Sequence, residues 1–471
     1  NGKVVDKFVG ALPKAELEGE MIAYTNNASA TPDHHIQLLI NGDQSLKTDA
    51  YWDGQSRYHF TFTFPVGGLH HGSNTLAITA FSTAAVSSET LFLDWFQINY
   101  ARQYLTSNNS IEIPCLGLTE QDYEVSGFSG TQGRVFDISD PLQPLTVTGI
   151  NQASIAEATY SISFKAPVGE KKFLLIDESM VQTPDHMVMV QPPDDLEISG
   201  ADYLIISPED FLATAREYAS YRSSRGIPSA VVSIEHLYDE FTDGISHPLA
   251  IKEYLRYLLA EKGEIPQYGL LVGDGHWNYL ESDYYPGTPQ FMLPNLAWVD
   301  PWQGEVDSLN LLGNVIGDDP LSDLMMGRLP VNSEQEFTNY PNKIKAYENS
   351  SSSDWQHRHI FITDNTPDTA GNFPALADEV ITTYLDPAIS EIPQRMYLDD
   401  YGQASVLEQD IIDSLNNEGA VFVSYIGHGS VQYWAGEGVF KNSDIPMLHN
   451  GGALPVVISL TCLDGHWTYP G

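Results

Sequence analysis

The hydrophobic period of this chain changes near residue 195, and that change limits the folds open to it. Before it, apolar residues alternate over short runs. His35-Ile36-Gln37-Leu38-Leu39-Ile40 runs into the turn residues Asn41-Gly42-Asp43, and Tyr58 to Phe64, Thr75 to Phe81 and Leu91 to Tyr100 come after it. Strands of this length between turn signals predict an antiparallel sandwich of jelly-roll type over residues 1–109. From Ser110 to Pro193 the strand pattern continues through Arg134-Val135-Phe136-Asp137-Ile138 and Tyr160-Ser161-Ile162-Ser163-Phe164. Residues 110–195 therefore read either as a second β-unit with a linker or as the other half of the first. The linker chemistry lies in Gln191-Pro192-Pro193-Asp194, where adjacent prolines bar both helix and ladder pairing.

After the prolines, strands alternate with helices. Tyr203 to Ile206 leads through Ser207-Pro208 to a helix bearing Phe211, Leu212, Ala215 and Tyr218, which stops at Gly226. Val231-Val232, a helix opened by Pro248, and the strand Leu270 to Val272 continue the pattern, and Ser333 with Glu336 reads as a capping box. A second run of the same kind starts at Ile360-Phe361-Ile362-Thr363. Such alternation predicts parallel sheets covered on both faces, one over 196–350 and one over 351–471.

Two strands of the second run end in reactive side chains. Val421 to Ile426 is followed by Gly427-His428-Gly429, and Pro455 to Leu460 by Thr461-Cys462. Sheets of this kind place ligands outside the carboxyl ends of their strands. A thiol and an imidazole at neighbouring strand ends suit nucleophilic catalysis, because the thiolate attacks and the imidazole takes and returns its proton. Taken singly, a histidine after an apolar strand is usually a hydrogen-bonded structural residue, and such a cysteine a small hydrophobe. The flanking glycines let backbone approach a ligand closely, with the Gly429 N–H free to face an oxyanion.

The segments SYIGHGS and ISLTCLDG resemble the His and Cys blocks of the gingipain-like cysteine peptidases, relatives of caspases and legumains. Ala201 to Ser207, Tyr221 to Gly226, Leu270 to Asp274, Gly327 to Val331 and the helix ending Lys343 to Glu348 stand in that family's order, so the resemblance covers about residues 200 to 471. It implies a caspase-like α/β catalytic region with Cys462 as nucleophile, His428 as proton donor and acceptor, and the Gly429 and Cys462 N–H groups at the oxyanion. It also implies an acidic residue behind the imidazole, after the strand 360–363: Asp364 first, Asp368 second. The stretch from the Asn41-Gly42 turn through Leu93–Tyr104 resembles accessory β-domains of exported members. Further strands beyond Gly471 would complete the sheet and cleft, and with them the first subsite, which this segment leaves unassigned.

Charge and cysteine usage bound the partners. With 22 Lys and Arg against 63 Asp and Glu, the net charge is −41, which repels nucleic acid and anionic membranes. It suits solubility in an exported or salt-adapted protein, and it would also spare a protease that cleaves after basic residues from itself. No apolar run reaches the roughly 18 residues of a membrane helix. A start at Asn1 without a leader fits a processed or excised segment. The two cysteines, Cys115 and Cys462, fall in different domains, which leaves Cys462 free. His70-His71 and His357-Arg358-His359 lack zinc spacing. The acidic run Asp274, Asp283, Asp300, Asp307, Asp318, Asp319 and Asp323 could hold a structural calcium, although no cofactor is required for the chemistry. The expectation is a secreted or cell-surface bacterial cysteine endopeptidase acting on proteins or peptides. The alternatives are a sortase-like transpeptidase that processes sorting signals and a non-catalytic adhesion or glycan-binding protein with a relic peptidase fold.

Overall fold

The computed structural model describes residues 14–469 apart from 28, 71, 82–88, 102, 107, 186, 188–195, 280–287, 301–303, 318, 367 and 386–391. The proline linker, His71, Asp283 and Asp318 lie outside the described residues, as does the side chain of Asp300. The chain divides into two units, Asn1–Val190 and Gln191–Gly471.

The first unit is all-β and holds two cores. Strands Arg57–Pro65, Lys14–Ala23 and Leu91–Asn99 form one antiparallel sheet, and Lys47–Trp52, His34–Ile40 and Leu76–Ala80 another. Their period-two pattern turns Leu17, Ile36, Leu38, Phe60 and Phe64 into a shared core. The strands after Ser110 make a second pair of sheets. Leu145–Thr146, Gly133–Asp137, Gly169–Asp177 and Ser110–Gly117 form one; Asn151–Ala156, Thr159–Ala166 and Gln121–Phe128 the other. They close on a core of their own containing Ile113, Val125, Phe128, Phe164 and Phe173. Cys115 lies inside that core, where burial pushes its thiol pKa up.

The second unit contains two four-stranded parallel sheets of identical order. In the first, Ser229–Ser233, Tyr203–Ser207, Tyr268–Val272 and Met325–Leu329 lie side by side. In the second the order is Ile392–Tyr397, Arg358–Thr363, Phe422–Ile426 and Val456–Leu460. Alternate residues of each strand feed opposite faces: Leu204 and Ile206 pack under the helix Leu249–Lys262, and Ile205 packs under Leu212–Ser224. In the second sheet, Ile360 and Ile362 face the helix Ala404–Asn417, and Phe361 faces Phe373–Tyr384.

Local chemistry sets the helix ends. The first helix of this unit is delayed past Pro208 by the short 3₁₀ turn Glu209–Phe211. Ser233 caps Ile234–Phe241 by accepting from the His236 amide, and Asn372 caps Phe373–Tyr384 by accepting from Ala375. Gly226 and Gly263 take the left-handed backbone that stops two helices. At the helix Glu334–Glu348, the Ser333 hydroxyl accepts from Glu336 N–H, while the Glu336 carboxylate reaches the Asn332 amide, one residue before the reciprocal contact that the sequence predicts. Among the described residues no helix is long and apolar enough to cross a membrane.

Candidate active site

The carboxyl ends of the second sheet bring together the two blocks singled out in the sequence. The histidine strand Phe422–Ile426 and the cysteine strand Val456–Leu460 pair directly, with Tyr425 opposite Ser459 and Ile426 opposite Leu460. Paired strands run about 4.8 Å apart, so the two loops emerge as neighbours. Gly427 N–H donates to the Leu460 carbonyl at 3.3 Å, holding the ladder one step beyond the strands. Glycine is needed here for space. A Cβ on Gly427 would stand 2.5 Å from Asp364 Cβ and from Tyr425 Oη, and one on Gly429 would strike the Thr461 hydroxyl and lie 3.0 Å from the Cys462 carbonyl oxygen. The His428 loop therefore lies against the Cys462 loop with no room for a side chain between them.

His428 is held at its backbone and at its ring. Its N–H donates to Asp364 Oδ2 at 3.1 Å, and its carbonyl accepts from Tyr425 Oη at 2.6 Å and from Ala435 N–H at 2.8 Å. The ring stands edge-on to Phe373, centroids 5.6 Å apart, and its Nε2 meets Asp368 Oδ2 at 2.9 Å. An ionised carboxylate only accepts, so Nε2 carries hydrogen and the neutral ring keeps its lone pair on Nδ1. The imidazole is half exposed.

The carboxylate that meets the imidazole is Asp368, the second of the two expected residues, while the first, Asp364, meets the main chain of the same loop. Asp364 is buried, 3 % exposed, and its oxygens accept the amides of Asn365 and His428. It sits where strand geometry turns it inward onto main chain. Asp368 reaches the ring from a turn that its own Oδ1 closes on the Ala370 amide at 2.6 Å. That amide first, then His428, holds its pKa below the usual carboxylate range.

Cys462 is exposed, unlike Cys115. The chain turns sharply after it at Leu463, which adopts φ +60°. The Trp434 indole donates to Asp464 Oδ2 at 2.9 Å and stacks on Tyr425 at 4.6 Å with planes 2° apart, tying the cysteine loop to the histidine strand. Sequence reasoning missed Trp434 and Asp464, whose only signal is their nearness to the two blocks.

Among the described residues, the side chains of the acidic run do not converge. Asp274 accepts from the Gly275 amide and the Asn332 side chain, Asp307 lies 3.5 Å from Arg328, Asp319 accepts from the Leu321 amide, and Asp323 accepts from the amides of Val315 and Ile316. Among the described residues no group of three or more His, Cys, Asp or Glu side chains is arranged to hold a metal ion.

Comparison with known families decides the affiliation: the model of Peptidase family C25 matches residues 197–471, more than half of the chain. The chain belongs to peptidase family C25. Its C25 region carries both blocks and both α/β sheets. No curated protein matches the chain. Among solved structures, dimeric latent PorU from Porphyromonas gingivalis is similar with a TM-score of 0.51 and 18% identity, over 71% of this chain and 34% of that one. The complex of pro- and mature domains of RgpB from the same organism has a TM-score of 0.45 and 20% identity, over 57% of this chain and 58% of its own. The chain thus spans about a third of the PorU chain. PorU supports the fold, an all-β part followed by caspase-like parallel sheets.

Proposed function

We propose that this C25 family member is a secreted or cell-surface bacterial cysteine endopeptidase that needs no cofactor, with Cys462 as nucleophile, His428 as its acid and base, and Asp368 as the residue that orients the imidazole. The observation that carries the reading is the exposed thiol on a loop pressed against the His428 loop, whose ring has a carboxylate on the far nitrogen. His428 Nδ1 takes the thiol proton as sulfur bonds to the scissile carbonyl carbon. The oxyanion forms toward the Gly429 and Cys462 amides, and the C–N bond then breaks as the imidazolium protonates the departing amine. Water adds to the thioester, giving a proton to the imidazole; the C–S bond breaks, and the acid leaves with the thiol restored.

Alkylation with iodoacetamide at pH 6, followed by peptide mapping, tests this. Cys462 labels rapidly in the native protein and slowly in His428→Ala, while Cys115 stays unlabelled until unfolding. Equal labelling of Cys462 in both proteins would remove the pairing of thiol and imidazole. Hydrolysis of a peptide library in the presence of an amine separates hydrolase from transpeptidase, since the latter joins the amine to the acyl fragment.

A further inference from the structure

One residue touches the surroundings of both reactive groups. Trp434 is 7 % exposed and lies in the strand Tyr433–Trp434, which returns from His428. Ala435 N–H donates to the His428 carbonyl at 2.8 Å and Ser430 N–H to the Tyr433 carbonyl at 3.0 Å, with Gly429 and Trp434 opposite one another between these bonds. Antiparallel residues paired in this way exchange no hydrogen bond and turn their own amides away from each other. The Gly429 N–H therefore faces out of the hairpin. The Trp434 ring lies flat on Tyr425, whose hydroxyl holds the His428 carbonyl at 2.6 Å, and the indole N–H donates at 2.9 Å to Asp464 Oδ2, two residues past Cys462.

The nucleophile loop is otherwise lightly held. Cys462, Leu463, Asp464 and Gly465 are all exposed, so packing restrains them weakly. Leu463 takes φ +60°, a left-handed backbone that side chains disfavour and that persists where the surroundings impose it. Past the strand end at Leu460, and among the described residues, the hydrogen bond that joins this loop to the histidine hairpin is the one from Trp434 to Asp464.

Burial of the donor gives that bond its leverage. An indole N–H inside the fold that loses its acceptor is left unpaired away from water, which is costly, so the bond favours the observed placement of an exposed loop. The donor is neutral, and an uncharged acceptor at position 464 would keep the same geometry.

We propose, on the basis of the peptidase reading, that Trp434 and Asp464 are positioning residues: their hydrogen bond sets the Cys462 loop against the His428 loop and keeps thiol, imidazole and the Gly429 amide in register for the reaction. Neither side chain takes part in bond making, and each acts through the loop it holds.

The test uses the full chain with Asp464→Ala, Asp464→Asn and Trp434→Phe, the last keeping the stacked ring without the N–H. In Asp464→Ala, kcat per titrated active site falls about 10–100-fold, the scale of a misplacement of about 1 Å, while KM stays within about threefold. Its urea midpoint equals that of the parent, because the side chain is exposed. The ratio of Cys462 alkylation by iodoacetamide at pH 6 to that at pH 9 drops at least about fivefold, as the thiol loses its imidazole partner. Trp434→Phe shows the same two losses, and adding Asp464→Ala to it costs nothing more, since both remove one bond. Asp464→Asn retains the parent kcat and alkylation ratio. The exposed Asp464 pair keeps the test open if the buried Trp434 variant does not fold. Parent kcat and alkylation ratio in Asp464→Ala, or equal impairment in Asp464→Asn, overturns the positioning role alone. A parent protein that cuts nothing and whose Cys462 resists iodoacetamide overturns the peptidase reading and this role with it.

Discussion

The two α/β sheets share strand order and parallel direction, yet among the described residues it is the second whose strand ends present an exposed thiol and a half-exposed imidazole. The third strand of each ends in a glycine that lets loops touch. In the first sheet a Cβ on Gly273 would stand 2.7 Å from Phe291 Cβ, and in the second Gly427 abuts Asp364. Past that glycine the two ends diverge. Asp274 is consumed by the Gly275 amide and the Asn332 side chain, both at 2.8 Å, and the Arg328 guanidinium on the fourth strand donates to the carbonyls of Gly273, Met292 and Leu293. At the matching end of the second sheet, His428 spends its main-chain groups on Asp364, Tyr425 and Ala435 and keeps a half-exposed ring, while Cys462 stands in solvent. One topology thus yields a closed polar knot in one copy and an open pair in the other. Function resides in which groups are left unspent, not in the sheet.

The contrast can be broken by substitution at either end. The largest effect belongs to Cys462→Ala, which removes the proposed nucleophile and should lower peptide hydrolysis by at least about 10⁴-fold, with a melting temperature equal to that of the parent because the side chain is exposed. Residual turnover above that floor in a fluorogenic assay would reassign the nucleophile. His428→Ala comes next, with a loss of about 10²–10⁴-fold in kcat/KM.

Asp368→Asn costs roughly 10–100-fold in kcat, as for other carboxylates that fix the tautomer of an imidazole. The pH profile checks its role. Because the Asp368 pKa is depressed by the Ala370 amide and by His428, its contribution is full above the ordinary carboxylate value of about 3.9 and is lost as pH falls through the lower folded value. Parent and variant rates therefore differ across neutral pH and approach each other only in strong acid. A constant ratio down to the lowest pH at which the fold survives would count against the contact.

Asp274→Ala, at the closed end of the first sheet, gives the smallest effect on rate. It destabilises by about 1–2 kcal/mol through the Gly275 amide and the Asn332 side chain left without an acceptor, seen as a lower urea midpoint. Its kcat/KM per titrated active site equals that of the parent. A loss of activity without a loss of stability would show that the closed end also serves the reaction.

Much of this contrast was legible in the residues, because it is local. Apolar runs of strand length set against 3.6-period helices gave the alternating architecture, and Gly427-His428-Gly429 with Thr461-Cys462 marked the strand ends. The features that escaped were non-local or depended on turn geometry. Asp364 and Asp368 are alike as letters after a strand; only the Ala370 turn aims one at the ring, and only inward packing commits the other to amides. The contact of Arg328 with Trp467 joins segments with no shared pattern. The packing of Ile113, Val125 and Phe164 on one another, apart from the core around Leu17 and Ile36, joins distant strands that no local pattern connects.

The strand that ends at the Cys462 loop is also the least covered of its sheet. Val456, Val457, Ile458 and Leu460 are 46–57 % exposed, and among the described residues the strand has a ladder on one side alone, to Phe422–Ile426. Deuterium should enter the amides of the strand Arg358–Thr363 slowly, because that strand is clasped from both sides and packs through Ile360 and Ile362 into the core.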